Sequence, residues 1–286
     1  MERLDMEMKF NIDPASGHPL IPVYINGEGP FEFHLDTGGG YTALTTRVAE
    51  DLGLEMIDMK DAKAAAIGGL VSIKSAKVDS FRIGTETFED EGVIVMDFEA
   101  TSCSSFDGII GHSMLKHYRM LLDYESMVFR LENSNGRSLK DKIDWMEFRY
   151  LRDSHLVGVP VHINGQGPSE FAIDTGSGGN VMTPTMAKEL GLDHMPPDGD
   201  SGCSEGRCEG VAGVAVGYGT TVDTISIGPA EQTRLVIGVI DLKIVSPKGK
   251  VIENGIIGYP FLKDFELIID YPQERFALID RRSTHT

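Results

Sequence analysis

The stretch EFHLDTG at residues 32–38 is repeated as EFAIDTG at residues 170–176. The ten residues that begin each copy also match, IPVYINGEGP at 21–30 and VPVHINGQGP at 159–168, so the spacing is a constant 138 residues (174 − 36). Further along, GIIG at 108–111 reappears at 255–258, where the spacing has grown to 147 (258 − 111). An internal repeat of this length indicates two similar structural units in one chain.

The local pattern of each copy is that of β-structure. An alternating apolar run ends at Ile-Asn-Gly, which is a hairpin turn signal, and a second apolar run leads directly into Asp-Thr-Gly. Short helices are expected around Thr46–Leu52 and Thr185–Leu190, because each segment is closed by a Gly-Leu pair typical of helix C-termini. With 33 Gly and 13 Pro spread between short apolar runs, the chain is predicted to be all-β with many turns.

The repeat also predicts how the chain divides. We expect an N-terminal lobe over residues 1–138 and a C-terminal lobe over residues 146–286, each with one Asp-Thr-Gly. The segment 133–142 is polar and carries a glycine, so the linker between the lobes is predicted there.

Composition excludes several classes of partner. A formal net charge of −18 argues against nucleic acid, because binding phosphates requires a basic surface. No run of about 18 apolar residues is present, so no membrane span is predicted. The first residues lack the apolar core of a secretion signal, which fits either a cytoplasmic protein or one whose leader for the periplasm or the exterior has been removed.

The cysteines and histidines carry little information. Cys203 and Cys208 have a spacing that fits a small loop disulfide and two free thiols equally well, and the third cysteine, Cys103, has no evident partner. A zinc site would need two more ligands near Cys203 and Cys208. The eight histidines show no paired ligand spacing and no repeat between the halves. We therefore predict no metal and no cofactor.

Two copies of Asp-Thr-Gly at matched places, each after an apolar strand and each followed later by Ile-Ile-Gly, are a strong signal. The chain resembles the pepsin and retropepsin superfamily of aspartic peptidases, and specifically the bacterial type with two retropepsin-like halves in one chain. The resemblance covers nearly the whole sequence. It implies a bilobal, pepsin-like fold of two pseudo-symmetric β-barrel lobes, and an aspartic endopeptidase whose catalytic residues are Asp36 and Asp174.

The chemistry of such a pair follows from electrostatics. Two carboxyl groups about 3 Å apart cannot both ionise, so they share one proton and their apparent pKa values separate. The charged member deprotonates a bound water molecule, while the protonated member hydrogen-bonds the carbonyl of the substrate. Hydrolysis of a peptide bond without a metal or a covalent nucleophile needs this combination of a base and an acid.

The resemblance also implies supporting roles. The hydroxyl groups of Thr37 and Thr175 should tie the two loops together, Gly38 and Gly176 should allow close approach of the backbone, and the two Ile-Ile pairs should pack beneath the loops. The halves differ at the next position, because Gly39 has no counterpart to the hydroxyl of Ser177. We expect Ser177 to hydrogen-bond the outer oxygen of Asp174, which would make Asp174 the better stabilised anion.

A flap over the cleft is expected from the same resemblance. Candidates are the glycine-bearing segments 67–70, with Gly68 and Gly69, and 211–214, with Ala212 and Gly213. Each segment is followed by a strand, which suits a mobile hairpin and an ordinary hairpin turn equally well.

Two functional hypotheses follow from the sequence. The first is a peptidase that binds an extended peptide or protein substrate in strand-like fashion. Since both aspartates lie in one chain, this peptidase needs no second copy and is predicted to be a monomer. The alternative is a non-catalytic peptide-binding protein with the same fold, against which the presence of both aspartates argues.

Overall fold

The computed structural model of the protein describes residues 5–66, 69–97, 106–134, 143–152, 154–192, 205–210, 213–242 and 252–280. The secondary structure is mainly β-strand, and the strands form two closed six-stranded barrels. The predicted bilobal all-β fold is therefore confirmed.

The described part of the first half contains eleven strands and two short helices. In chain order these are β1 (Asp5–Lys9), β2 (Asn11–Ile12), β3 (Pro19–Ile25), β4 (Glu28–Leu35), β5 (Ala43–Thr45), α1 (Thr46–Asp51), β6 (Ile57–Ala66), β7 (Gly69–Ile83), β8 (Glu86–Met96), β9 (Gly108–Ile110), α2 (His112–Leu115), β10 (Arg119–Asp123) and β11 (Val128–Glu132).

The second half repeats this order, strand for strand, within the described residues. Its elements are β12 (Met146–Glu147), β13 (Arg149–Tyr150), β14 (Val157–Ile163), β15 (Gln166–Ile173), β16 (Asn180–Met182), α3 (Pro184–Glu189), β17 (Glu205–Gly210), β18 (Gly213–Ile227), β19 (Ala230–Ile240), β20 (Gly255–Ile257), α4 (Tyr259–Leu262), β21 (Glu266–Asp270) and β22 (Arg275–Ile279).

Each barrel closes through an additional pairing. In the first half the strand order is β3-β4-β9-β5-β8-β7, and β7 pairs back onto β3. In the second half the order is β14-β15-β20-β16-β19-β18, and β18 pairs back onto β14. The strand that leads into each Asp-Thr-Gly is parallel to the short Gly-Ile-Ile strand, β4 to β9 and β15 to β20. This pairing fixes where each loop leaves its barrel.

A third sheet joins the two halves. Its order is β1-β11-β10-β21-β22-β12, so three strands come from each half and the halves meet where β10 pairs antiparallel with β21. The facing side chains of Leu121 and Ile268 are buried together in this seam. The two barrels are thus held by a continuous hydrogen-bonded sheet as well as by side-chain packing.

The hairpin turns form where the sequence predicts them. Asn26 and Gly27 link β3 to β4, and Asn164 and Gly165 link β14 to β15, all four with positive φ angles. A two-residue turn of this hand matches the twist of the flanking strands, and Asn-Gly adopts it readily. The Asn26 side chain also accepts the backbone N–H groups of residues 79 and 80, and Asn164 does the same at 223 and 224.

The two predicted helices are α1 and α3, within a residue of the expected limits. Thr45 caps α1 by accepting the Val48 N–H at 3.2 Å, and Thr183 caps α3 by accepting the Met186 N–H at 3.2 Å. The strands β7 and β18, with fifteen residues each, are longer than the short strands that the sequence predicts in the middle of each half.

One apolar cluster extends through both halves and buries phenylalanines from each, among them Phe33, Phe129, Phe171 and Phe276. The described residues contain no helix that is long and apolar enough to cross a membrane. Most of the predicted linker, residues 135–142, lies outside the described residues, and so do Cys103 and Cys203; the lobe boundaries and the disulfide therefore stay predictions.

Candidate active site

The two Asp-Thr-Gly loops begin at the ends of β4 and β15. The backbone N–H of Asp36 donates to the carbonyl oxygen of Ile110 at 3.0 Å, and that of Asp174 donates to Ile257 at 3.0 Å. Both isoleucines are fully buried. Ile110 and Ile257 therefore lie beside the loops, and their carbonyl oxygens accept direct hydrogen bonds from the two aspartates.

The two threonines connect the loops across the interface between the halves. The Thr37 hydroxyl accepts the N–H of Thr175 at 3.0 Å and donates to the carbonyl of Ile173 at 3.1 Å. In return, the Thr175 hydroxyl accepts the N–H of Thr37 at 3.1 Å and donates to Leu35 at 2.6 Å. Both threonines are fully buried. The predicted contacts are present, and they form a reciprocal set of four hydrogen bonds.

The two glycines let each loop approach the other half's carboxylate. A Cβ placed on Gly38 would lie 2.5 Å from Oδ2 of Asp174, and one placed on Gly176 would lie 2.4 Å from Oδ1 of Asp36. Neither distance leaves room for a methyl group, so glycine is required by sterics at both positions. Gly38 and Gly176 thus allow the close approach that the sequence predicts, and they do so across the interface.

The structure brings Asp36 and Asp174 together, since each carboxyl group lies against the glycine of the other half's loop. Both residues are half-buried, so protein surrounds the carboxyl groups while part of each residue remains accessible. Burial raises the pKa of Asp174 well above its ordinary value, and the adjacent Asp36 raises it further, whereas the N–H of Gly176, which donates to its Oδ1 at 2.8 Å, opposes the shift. A pair in this condition retains a proton where isolated carboxyl groups have lost theirs.

The sequence model of an aspartyl protease family matches residues 21–114 and 159–261, which is well over half of the chain. The chain belongs to this aspartyl protease family. Each matched segment contains one Asp-Thr-Gly loop and one six-stranded barrel, so this family member carries the domain twice. No curated protein matches the chain.

One expectation about this aspartyl protease is wrong. The Ser177 hydroxyl donates to the carbonyl oxygen of Gly179 at 2.8 Å. Because a hydroxyl has a single proton to donate, the expected bond to the carboxylate of Asp174 is not made. Gly39, which has no side chain, uses its backbone instead and donates its N–H to Oδ1 of Asp36 at 2.8 Å. The Ser177 hydroxyl therefore gives no reason to expect Asp174 to be a better stabilised anion than Asp36.

Two histidines beside the loops escaped sequence analysis. The Nε2 atom of His155 lies 2.7 Å from the carbonyl oxygen of Gly38, which belongs to the opposite half. Burial lowers the pKa of His18, while Asp36, Asp13 and the backbone of Gly176 oppose that shift. The two histidines lie at non-equivalent places in the repeat, so a search for repeated histidines does not find them.

A third histidine, His34, lies behind His18 in the first half. His34 is almost fully buried on β4 and stacks on Phe106 with ring centroids 4.0 Å apart. Its Nδ1 atom lies 3.1 Å from Nδ1 of His18. Burial lowers the pKa of His34 to about 3, and the neighbouring His18 contributes to the shift. His34 therefore stays uncharged well into the acidic range.

A second repeated motif, LLDY at 121–124 and IIDY at 268–271, also carries an aspartate in each half, for which the sequence favours a structural role over a catalytic one. Asp123, at the end of β10, accepts the N–H groups of Glu125 and Ser126 at 3.0 and 3.1 Å and so shapes the turn to β11. Asp270, at the end of β21, is fully buried and pairs with Arg275 at 3.1 Å. Both side chains have partners in the shared sheet.

The flap candidates fall on two antiparallel hairpins. Strand β6 pairs with β7 up to Ala66 and Gly69, and β17 pairs with β18 up to Gly210 and Gly213. The tips of the hairpins, with Gly68 and Ala212, lie outside the described residues. A flap over the cleft stays a prediction at both places.

Proposed function

We propose that the protein is an aspartic endopeptidase in which Asp36 and Asp174 together activate water against a peptide bond. The observation that carries this proposal is the reciprocal contact between the loops, in which each half's glycine lies against the other half's carboxylate. Membership of the aspartyl protease family supports the general activity. The catalytic role of Asp36 and Asp174 goes beyond what family membership shows and is the part that we propose.

The protonation of the pair supports a division of roles. The pKa of Asp174 is raised by burial and by Asp36, so we assign the shared proton to Asp174. The carboxylate of Asp36 then carries the negative charge, with the N–H of Gly39 on its Oδ1 at 2.8 Å. A charge-assisted bond of this kind stabilises the anion while leaving its other oxygen free to accept a proton.

The reaction then proceeds by general acid–base catalysis. A water molecule held between the carboxyl groups transfers a proton to Asp36 as its oxygen bonds to the carbonyl carbon of the substrate. Asp174 gives its proton to the carbonyl oxygen, which yields a neutral tetrahedral diol. Collapse of the diol returns its hydroxyl proton to Asp174, breaks the C–N bond, and lets Asp36 protonate the departing amine. Both aspartates regain their initial states.

The positions of the loops on a rigid frame support fast chemistry. The two loops are held in place by the threonine hydrogen bonds and by the carbonyl groups of Ile110 and Ile257. The shared sheet holds the two halves together. Holding the water and the carbonyl in a reactive orientation accounts for much of the rate in such sites. The substrate we propose is an extended protein segment, because strand-like backbone pairing suits a cleft between two β-barrels.

The test is cleavage of a denatured, alkylated protein, followed by mass spectrometry over roughly pH 3 to 7, the range set by shared-proton pairs. We expect wild type to cut and Asp36→Asn and Asp174→Asn each to lose activity on the order of a thousandfold. Asp58→Asn is the matched control, since that side chain is 84 % exposed and far from the loops in sequence.

Cleavage retained by either loop variant would contradict the proposal. No cleavage by wild type at any pH, combined with tight binding of an uncut peptide, would favour the non-catalytic alternative. A sizing column run alongside tests the monomer prediction, which elution at twice the monomer mass would contradict.

A further inference from the structure

One histidine that the proposed reaction does not use holds the backbone of the first loop. His155 in the second half lies 2.7 Å from the carbonyl oxygen of Gly38 in the first. We propose that His155 is a positioning residue, which fixes the peptide plane beside Asp36 from the opposite half. This proposal rests on the proposed peptidase function and extends it.

His155 acts on Asp36 through a single peptide group. The carbonyl that His155 contacts belongs to the peptide between Gly38 and Gly39, and the N–H of that same peptide donates to Oδ1 of Asp36 at 2.8 Å. A carbonyl that accepts a hydrogen bond makes its own N–H a better donor, since hydrogen bonds in a chain polarise one another. His155 therefore both orients the peptide plane and strengthens its bond to the charged member of the pair.

A local turn places the His155 ring. The N–H of Ser154 donates to Leu151 at 2.9 Å, and the N–H of Leu151 donates to Leu156 at 2.9 Å, so the residues on both sides of His155 are hydrogen-bonded to Leu151. The turn leads directly into β14, which is part of the second barrel. On its outer side the ring faces His112, with centroids 5.7 Å apart. A Cβ on Gly40 would lie 3.0 Å from the His155 ring, so the first half closes over it.

His18 is oriented by its partner His34. Two facing Nδ1 atoms at 3.1 Å require one protonated and one bare nitrogen. The Nε2 atom of His34 is buried and has no hydrogen-bond partner within the described residues, so this nitrogen is the bare one and His34 carries its proton on Nδ1. His18 then accepts at Nδ1 and, in the neutral ring, carries its own proton on Nε2.

The second loop differs at the equivalent peptide. There the N–H of Ser177 donates to the backbone oxygen of Asp174 at 3.2 Å, whereas the N–H of Gly39 reaches a carboxylate oxygen of Asp36. His155 is therefore one peptide away from a carboxylate oxygen, and we expect the protonation of the pair to respond to it.

The experiment compares His155→Phe, which fills the space without a donor, with His155→Gln, which restores an N–H near the position of Nε2. The control is His117→Gln, an exposed histidine near the same ring cluster. We expect the Phe variant to lose roughly tenfold in kcat with KM unchanged, the worth of about one hydrogen bond. The acid limb of kcat/KM should move to higher pH, because the Asp36 anion is less stabilised. The Gln variant should recover both quantities.

A purely structural histidine would lower Tm and leave the acid limb in place, which would overturn the proposal. So would a Gln variant as impaired as the Phe variant. The same shift is measurable without substrate, by 13C NMR titration of labelled aspartate carboxyl groups in wild type and in both variants. Absence of peptidase activity in wild type would therefore refute the proposed function alone, while an unchanged titration in His155→Phe would refute the role of His155 alone.

Discussion

The two loops, residues 36–40 and 174–178, share their first three residues and then use different means to secure a carboxylate. In the first loop the N–H of Gly39 donates to Asp36, and His155 holds the other end of that peptide. In the second loop the N–H of Gly176 donates to Asp174, and the Ser177 hydroxyl is directed to a backbone carbonyl.

This difference shows that a duplicated motif need not give two equivalent acids. The reciprocal contacts, made by the threonines and the glycines, are nearly symmetric and bring the carboxyl groups together. The contacts outside the motif are asymmetric, because the N–H of Gly39 donates to the Asp36 carboxylate while the Ser177 hydroxyl donates to a backbone carbonyl. Substitutions of the threonines and glycines should affect both loops alike. Substitutions of the contacts outside the motif should affect one loop more than the other.

The largest effect is expected from adding one methyl group to the symmetric contact. In Gly38→Ala the new Cβ would lie 2.5 Å from Asp174, and in Gly176→Ala it would lie 2.4 Å from Asp36, so the loops must separate. Misplacement of about 1 Å costs on the order of a hundredfold in rate. Initial rates of peptide cleavage measure this, with Gly179→Ala as the control because its Cβ meets nothing within 4 Å. Equal activity of all three variants would contradict the geometry.

A smaller effect is expected from removing one hydroxyl of the threonine set. Thr37→Val leaves the N–H of Thr175 and the carbonyl of Ile173 without their partner, and Thr175→Val does the same at Thr37 and Leu35. We expect each to lower the free energy of unfolding by about 2 kcal/mol, since buried groups are left unsatisfied. Denaturant unfolding measures the loss. Thr37→Ser and Thr175→Ser keep the hydroxyl and should lose much less.

Much of this arrangement could be predicted from the sequence because it is local or repeated. The Asn26-Gly27 turn and the Thr45 cap follow from backbone preferences of single residues. The pairing of Asp36 with Asp174 follows from two identical motifs in matched surroundings. The seam between β10 and β21 could not be predicted, since antiparallel pairing between distant strands leaves no local pattern.

The histidines were missed for a specific reason. The bond from the N–H of residue 13 to the carbonyl of His18 corresponds to the bond from Leu151 to Leu156, so position 18 matches position 156. His155 therefore occupies the place of Gly17, one residue away from the place of His18. The two histidines thus lie at adjacent and not at matching positions of the repeat, which a comparison of the two copies residue by residue cannot reveal.

The smallest effect concerns acid stability, where the halves also differ. The native pKa of His34 is about 3 and its unfolded value about 6.5, so the native state binds fewer protons and stability falls as pH drops below 6.5. The second half has Ala172 at the matching position. One titrating histidine contributes at most about 1.4 kcal/mol per pH unit. The raised pKa of Asp174 acts in the opposite direction.

His34→Asn isolates this contribution because it keeps a donor facing His18 and removes a titrating ring. We expect a lower stability at neutral pH from the lost ring volume, but a shallower decline between pH 6.5 and 5 than in wild type. Ala172→Ser serves as the control in the second half and should leave the slope unchanged. The free energy of unfolding is measured by urea unfolding at each pH. If the curves for wild type and His34→Asn are parallel, His34 is not the source of the decline in stability at acidic pH.

The most direct test of the shared-proton pair is 13C NMR titration of the Asp174 carboxyl group in wild type and in Asp36→Asn. The account predicts that Asp174 titrates well above the ordinary value of about 3.9, and that the midpoint falls in Asp36→Asn because the neighbouring charge is gone. An Asp174 that titrates near its ordinary value, and does so identically with and without Asp36, would contradict the coupling of the two halves.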